Sequence, residues 1–231
     1  EDFQSIRLPV SGGEPLPDAT FDLFQQRFNL RLLEGYGLTE TSPVTHWSTL
    51  QRNKLHSVGP CLPDVQVAIV DESDQHLPPD TDGEILITGP NIMMGYYRLS
   101  EQSAAVFTNL PTPDGRSQRY FRTGDIGRVD AEGFLYITGR KKEMLIISGE
   151  NVFPREIEQV LNKHASVCDS AVVGASDGMR GEVPIAFVEL NDGQRFDESD
   201  LRSWCRQSLA GYKVPRRIHL IDQLPRNITG K

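Results

Sequence analysis

The chain has 231 residues, 38% hydrophobic and 24% charged, which is enough apolar material for one large domain or two smaller ones and argues against disorder. Its 24 Lys and Arg against 32 Asp and Glu leave a formal charge of −8, which disfavours a nucleic-acid scaffold while still allowing a small anionic ligand held by local cations. With 20 Gly and 15 Pro, the chain should turn often and be built of short elements.

Residues Ile6–Val10 read as a short strand running into Ser11-Gly12-Gly13. After Pro17, Phe21, Phe24 and Phe28 recur near helical spacing and predict an amphipathic helix over 18–29. Leu32-Leu33 starts a second strand that ends in Gly35-Tyr36-Gly37. A strand, glycine turn, helix and second strand suggest an α/β sheet with a ligand site beyond its strand ends. From Ser57 to Thr88 alternating Val65, Val67 and Ile69, followed by Gly83–Ile87, predict a β-rich subdomain. Ser100 is placed to cap a short helix reaching Phe107, and 110–118 reads as a polar loop. Arg128–Asp130 and Phe134–Ile137 flank a hairpin turn.

Beyond Gly139 the pattern starts afresh. Leu145–Ile147 is a predicted strand, and Pro154 suits the first turn of a helix carrying Ile157, Val160 and Leu161. Ala171–Val173, Ile185–Val188 and Ile218–Ile221 are further strands. Asp197 and Asp200 open a helix with Leu201, Trp204, Cys205 and Leu209 on one face. The domain boundary is expected within Gly139–Lys142, dividing the chain into 1–139 and 140–231.

Cys61, Cys168 and Cys205 are far apart and lack zinc spacing, so they read as thiols in a reducing, cytoplasmic compartment. No apolar run approaches the ~18 residues of a membrane span. The opening EDFQSIRLPV has no leader-peptide pattern, and residue 1 is expected to be an internal boundary of something larger.

Four segments carry chemistry. In EGYGLTETSP (34–43), glycines let backbone approach a planar ligand, Tyr36 offers an aromatic face, Thr39 a hydroxyl, and Glu40 a hard oxygen suited to magnesium. In YFRTGDIG (120–127), the two oxygens of Asp125 match a pair of vicinal ribose hydroxyls, although an isolated TGD reads first as an Asx turn. GRKKEMLIISGENVFPREIE (139–158) supplies Arg140, a fixed cation for phosphate or ribose oxygens. LPRNITGK (224–231) ends in Lys231 on a glycine-flanked tail.

In this order, with SGGEPLP (11–17) and GEILITGPNIMMGYY (83–97), the segments resemble the AMP-forming acyl-activating superfamily of acyl-CoA synthetases, adenylation domains and beetle luciferases. The resemblance implies a mixed α/β fold. Residues 1–139 would be the end of a large N-terminal α/β domain with its β-rich subdomain, and 140–231 a small mobile α+β domain cut at its catalytic lysine. It implies an acid–thiol ligase of fatty acid metabolism that uses ATP, Mg2+ and CoA to turn a carboxylic acid, a fatty acid foremost, into acyl-AMP and then a thioester. Gly12, Gly13, Glu14 and Pro15 would lie along the adenine with Tyr36 stacked on it. Glu34, Gly35, Gly37, Leu38 and Thr39 would line the nucleotide, Thr39 reaching phosphate. Glu40 would bind magnesium, Asp125 the ribose diol, and Arg140 ribose or phosphate. Lys231 would bridge the acid and the α-phosphate. Ser148, Gly149 and Glu150 would line the pantetheine tunnel, Arg180 would lie near the CoA phosphates, and Lys142 would be the hinge.

The family's Ser/Thr/Gly-rich phosphate loop is absent from these 231 residues, so this stretch alone is expected to be nearly inactive. Two rival readings are an enzyme that loads a carrier protein and a non-catalytic nucleotide-binding module. The acyl chain and oligomeric state are not legible.

Overall fold

Why α1 (Asp18–Phe28) stands where it does is visible in its phenylalanines. Phe24 and Phe28 pack ring against ring with centroids 4.9 Å apart, and Phe3 joins them at 6.0 and 4.4 Å. The helix stops at Asn29, which adopts φ 51° and donates its N–H to the Gln25 carbonyl. The structure is a computed structural model and describes residues 3, 5–14, 16–112, 115–178 and 181–226. It divides into two units, Glu1–Thr138 and Gly139–Lys231.

In the first unit, α1 connects two parallel strands, β1 (Val10–Gly12) and β2 (Leu33–Tyr36), and β3 (His46–Trp47) adds antiparallel to β2. The predicted first strand, Ile6–Val10, therefore sits too early. Pairing begins at Val10 opposite Leu33 and ends at Gly12 opposite Gly35, so the partner strand and not local propensity sets its limits.

A five-stranded sheet follows in the order β4 (Gln66–Val70), β5 (Gly83–Thr88), β7 (Ser117–Val129), β6 (Phe107–Pro111), with β8 (Leu135–Arg140) also on β7. Its strands feed two clusters alternately. Ile69, Ile85, Ile87 and Leu135 pack on one side, and Ala68, Val70, Leu86, Leu110 and Tyr120 on the other. Burial on both faces explains the continuous apolar run of GEILIT. The expected loop over 110–118 is narrower than its predicted bounds: Leu110 and Pro111 belong to β6 and Ser117 and Gln118 to β7, because the ladder runs from Phe107–Phe121 through Pro111–Ser117. The short helix α2 (Ser100–Ala105) has Leu99 at its cap position, not Ser100, and ends before Phe107, which belongs to β6.

Among its described residues, the second unit forms one five-stranded sheet with two α-helices. The order is β10 (Glu150–Val152), β9 (Leu145–Ile147), β12 (Gly181–Leu190), β11 (Val167–Asp177), with β13 (Arg217–Leu220) parallel to β12. Pro154 opens α3 (Pro154–Leu161). Asp197 caps α4 (Glu198–Ser208) by accepting from the Ser199 and Asp200 N–H groups at 2.9 and 3.1 Å. Ile157 and Leu161 from α3 meet Leu201 and Cys205 from α4 in one core with Leu145, Ile147, Ala186 and Val188. No helix among the described residues is long and apolar enough to cross a membrane.

Candidate active site

The densest polar construction follows β2, where the chain leaves Tyr36 and makes a tight turn. Gly37 is required there by space. A Cβ would lie 1.8 Å from the Pro43 carbonyl oxygen, closer than any atom can approach. Thr41, fully buried, ties the turn. Its Oγ1 accepts from the Leu38 N–H at 2.9 Å and donates within reach of the Leu38 and Pro43 carbonyls at 2.9 and 3.2 Å. The knot leaves Thr39 exposed and Glu40 half-buried at the start of a short 3₁₀ turn.

A second segment holds this turn from the side. Asn91 Nδ2 donates to the Thr41 and Val44 carbonyls at 2.8 and 2.9 Å, and the Met93 N–H donates to the Glu40 carbonyl at 2.9 Å. The Tyr96 hydroxyl donates to Glu40 Oε1 at 2.9 Å. Partial burial, followed by the bond to Glu40, raises the Tyr96 phenol above its ordinary pKa.

Asp125 enters from β7. It is only 4% exposed, and Oδ2 accepts the Tyr36 phenol at 2.6 Å. A carboxylate has two oxygens with about four lone-pair sites, so it can accept more than one hydrogen bond. Tyr36 itself lies against the cluster that includes Val65, Ile85 and Leu135. An aromatic face, a carboxylate behind it and a second carboxylate at Glu40 thus share the first unit. On β3, opposite Tyr36 of β2, His46 is fully buried between the Thr45 hydroxyl (3.0 Å from Nδ1) and Cys61 Sγ (3.1 Å from Nε2). Burial lowers the His46 pKa to about 3 and raises that of Cys61 to about 11, so the ring and the thiol are both neutral at pH 7.

The remaining expected residues fall into three groups. Gly12 ends β1, Gly13 and Glu14 follow it exposed, and Glu34 and Gly35 lie on β2. In the second unit, Arg140 ends β8 exposed, and Lys142 is the middle residue of a 3₁₀ turn over Lys141–Glu143. Ser148 and Gly149 are the two-residue turn of the β9–β10 hairpin, and Glu150 opens β10. Both turn residues have positive φ, 54° and 86°, the backbone of a type I′ turn. The turn by itself calls for a residue such as glycine at position 149. Pro15, Arg180 and Lys231 lie outside the described residues.

Sequence reasoning assigned no role to Thr41, Asn91 or Tyr96. GEILITGPNIMMGYY contained the last two, but nothing local to it points to a turn 50 or 56 residues earlier. Among the described residues, no three His, Cys, Asp or Glu side chains gather as a metal cage. A cation at Glu40 would take one carboxylate from the protein and its other ligands from phosphate and water, a donor set that suits magnesium.

Comparison with known proteins bears on the same segments. The model for the family described as AMP-binding enzyme matches residues 1–97, and that for the AMP-binding enzyme C-terminal domain matches 156–231. A long-chain-fatty-acid–CoA ligase of Bacillus subtilis is 39% identical over all of this chain, which spans 40% of that relative's length. The crystal structure of ATP-bound MatB from Rhodopseudomonas palustris aligns with 97% of this chain and 43% of its own, with TM-score 0.87 and 34% identity. The o-succinylbenzoate–CoA synthetase MenE of B. subtilis, in complex with ATP and magnesium ion, aligns with 99% of this chain and 45% of its own (TM-score 0.85, 33% identity).

Proposed function

This chain belongs to the AMP-binding enzyme family, and we propose from that premise that the protein is an AMP-forming acid–thiol ligase. Its reaction would join a carboxylic acid to ATP, release pyrophosphate and pass the acyl group from AMP to CoA. The observation that carries this reading is the hydrogen bond between Tyr36 and Asp125, which sets an aromatic face beside a buried carboxylate.

In this reading, Gly12, Gly13, Glu14 and Pro15 line the adenine against Tyr36, and Glu34, Gly35, Gly37 and Leu38 line the rest of the nucleotide. Asp125 and Arg140 hold the ribose, while Thr39 reaches a phosphate. Glu40 holds magnesium, which supplies positive charge where the phosphates carry negative charge. Lys231 neutralises the meeting of acid and α-phosphate. No general base is needed, because a carboxylic acid is ionised at neutral pH. Ser148, Gly149, Glu150 and Arg180 serve CoA, and Lys142 is the hinge between half-reactions. The proposed acid is a fatty acid, a choice supported by the name of the B. subtilis relative.

The test is acid-dependent ATP–pyrophosphate exchange by the full-length protein, run with fatty acids of graded length and with 2-succinylbenzoate. Exchange should rise with a fatty acid and acyl-CoA should accumulate when CoA is added. Nucleotide binding without exchange for any acid would overturn the ligase reading. A response to 2-succinylbenzoate alone would overturn only the choice of acid.

A further inference from the structure

We propose that Tyr96 is a positioning residue for the carboxylate of Glu40, setting the oxygen geometry that a divalent cation meets. The inference rests on Glu40 being the metal-holding residue of the proposed ligase.

The argument starts from what holds Glu40. Its backbone carbonyl accepts from the Met93 N–H at 2.9 Å, and its Oε1 accepts from the Tyr96 hydroxyl at 2.9 Å. Main chain and side chain are thus held by one segment, three residues apart. Asn91 extends the same clamp to Thr41 and Val44. The segment is itself braced, since the Tyr96 N–H donates to Ser103 Oγ at 2.8 Å and that hydroxyl lies 2.8 Å from the Leu99 carbonyl.

Glutamate has three side-chain torsions, and a half-exposed one samples several rotamers at an entropic cost when a ligand selects one. A donor on Oε1 removes part of that freedom and directs Oε2 away from the phenol. The partner is a phenol and not a cation, so the bond brings no positive charge to the site. An Arg or Lys in its place would neutralise the negative charge on which a divalent ion depends. No ion pair to Glu40 occurs among the described residues. A metal ligand oriented by a hydrogen bond from a neutral outer residue is the arrangement expected where ligand geometry, and not charge alone, decides affinity.

The experiment uses the full-length protein and Mn2+ as the paramagnetic stand-in for Mg2+. Tyr96→Phe keeps the ring of this half-buried residue and deletes one oxygen, so the variant should fold. Mn2+ affinity of the protein–ATP complex, followed by electron paramagnetic resonance, should fall by about tenfold. The Mg2+ concentration giving half-maximal exchange should rise by a similar factor. AMP binding in metal-free buffer should not change. In a Glu40→Gln background, where Mn2+ affinity is already low, Tyr96→Phe should add little. Unchanged Mn2+ affinity in Tyr96→Phe, with Glu40→Gln still weakened, would overturn the positioning role while leaving Glu40 as the metal residue. Equal loss of metal-free AMP binding would also overturn it, since that marks general distortion of the site. If Glu40→Gln itself kept wild-type Mn2+ affinity, the reading of Glu40 would fall and this inference with it.

Discussion

The phenol of Tyr36 donates to Asp125 Oδ2 at 2.6 Å, joining a residue at the end of β2 to one on β7 across 89 positions of sequence. The bond links the three-stranded sheet to the five-stranded one and lies where two of the nucleotide motifs converge. Hydrogen bonds to a charged group are worth ~1.5–3 kcal/mol, and more is lost when the charge stays buried without its donor. Tyr36→Phe should therefore lower the urea midpoint of the full-length protein and weaken AMP binding. Asp125→Ala should raise the ATP requirement. In a double-mutant cycle, the combined loss should be smaller than the sum of the two single losses. Strict additivity would mean that this bond contributes nothing.

Two glycines, Gly37 in the first unit and Gly149 in the second, should respond differently to alanine. At Gly37 the new Cβ would sit 1.8 Å from the Pro43 carbonyl oxygen, so the whole turn bearing Thr39 and Glu40 must move. Gly37→Ala should cost about 3 kcal/mol or more, at the upper end of overpacking, and abolish nucleotide binding. At Gly149 the Cβ would meet nothing within 4 Å, and only its φ of +86° is unfavourable. Gly149→Ala should cost roughly 1–2 kcal/mol. Calorimetric melting of the two variants distinguishes them. A larger loss of CoA-dependent turnover than of stability in Gly149→Ala would support its proposed role toward CoA, and matched losses would leave it a turn residue alone.

Acid should act through His46. Its pKa falls from 6.5 to about 3 on folding because the ring is buried, so the unfolded chain binds a proton that the folded chain refuses. Stability from this group is complete above the unfolded value and is lost as pH falls through the window toward 3. The loss should reach ~2 kcal/mol near pH 5. Urea midpoints at neutral pH and near pH 5 measure it. His46→Gln, although less stable at neutral pH, should show a shallower decline than the wild type. Parallel declines would assign the acid sensitivity to carboxylates instead.

Lys142 lies exposed in the 3₁₀ turn at Lys141–Glu143, close after the division at Thr138. Proline there fixes φ near −65° and removes an N–H. If this turn is the hinge, Lys142→Pro should keep pyrophosphate exchange and lose acyl-CoA formation at an unchanged melting temperature. Loss of both activities with a lower melting temperature would identify a purely structural turn.

What was legible in the sequence was local. Pro154 at the start of α3, Asp197 at the cap of α4, the apolar run of β9 and the phenylalanines of α1 each act within a turn or two of their own position. The motif order likewise carried the family, because glycines, carboxylates and lysines at characteristic places need no tertiary knowledge to be read. Strand limits were less legible. β1 ends where β2 lets it, Leu110 and Pro111 join the ladder because β7 runs beside them, and two-residue β3 depends on its pairing with β2 and its bridge to Cys61. The site's finer chemistry was decided by the fold alone. Tyr36 reached Asp125, Tyr96 reached Glu40, and His46 became a neutral base through contacts that no periodicity encodes. A hydrogen bond across 50 to 90 residues leaves no trace in local spacing, since its geometry depends on how two sheets pack. Its energy depends equally on how far that packing excludes water.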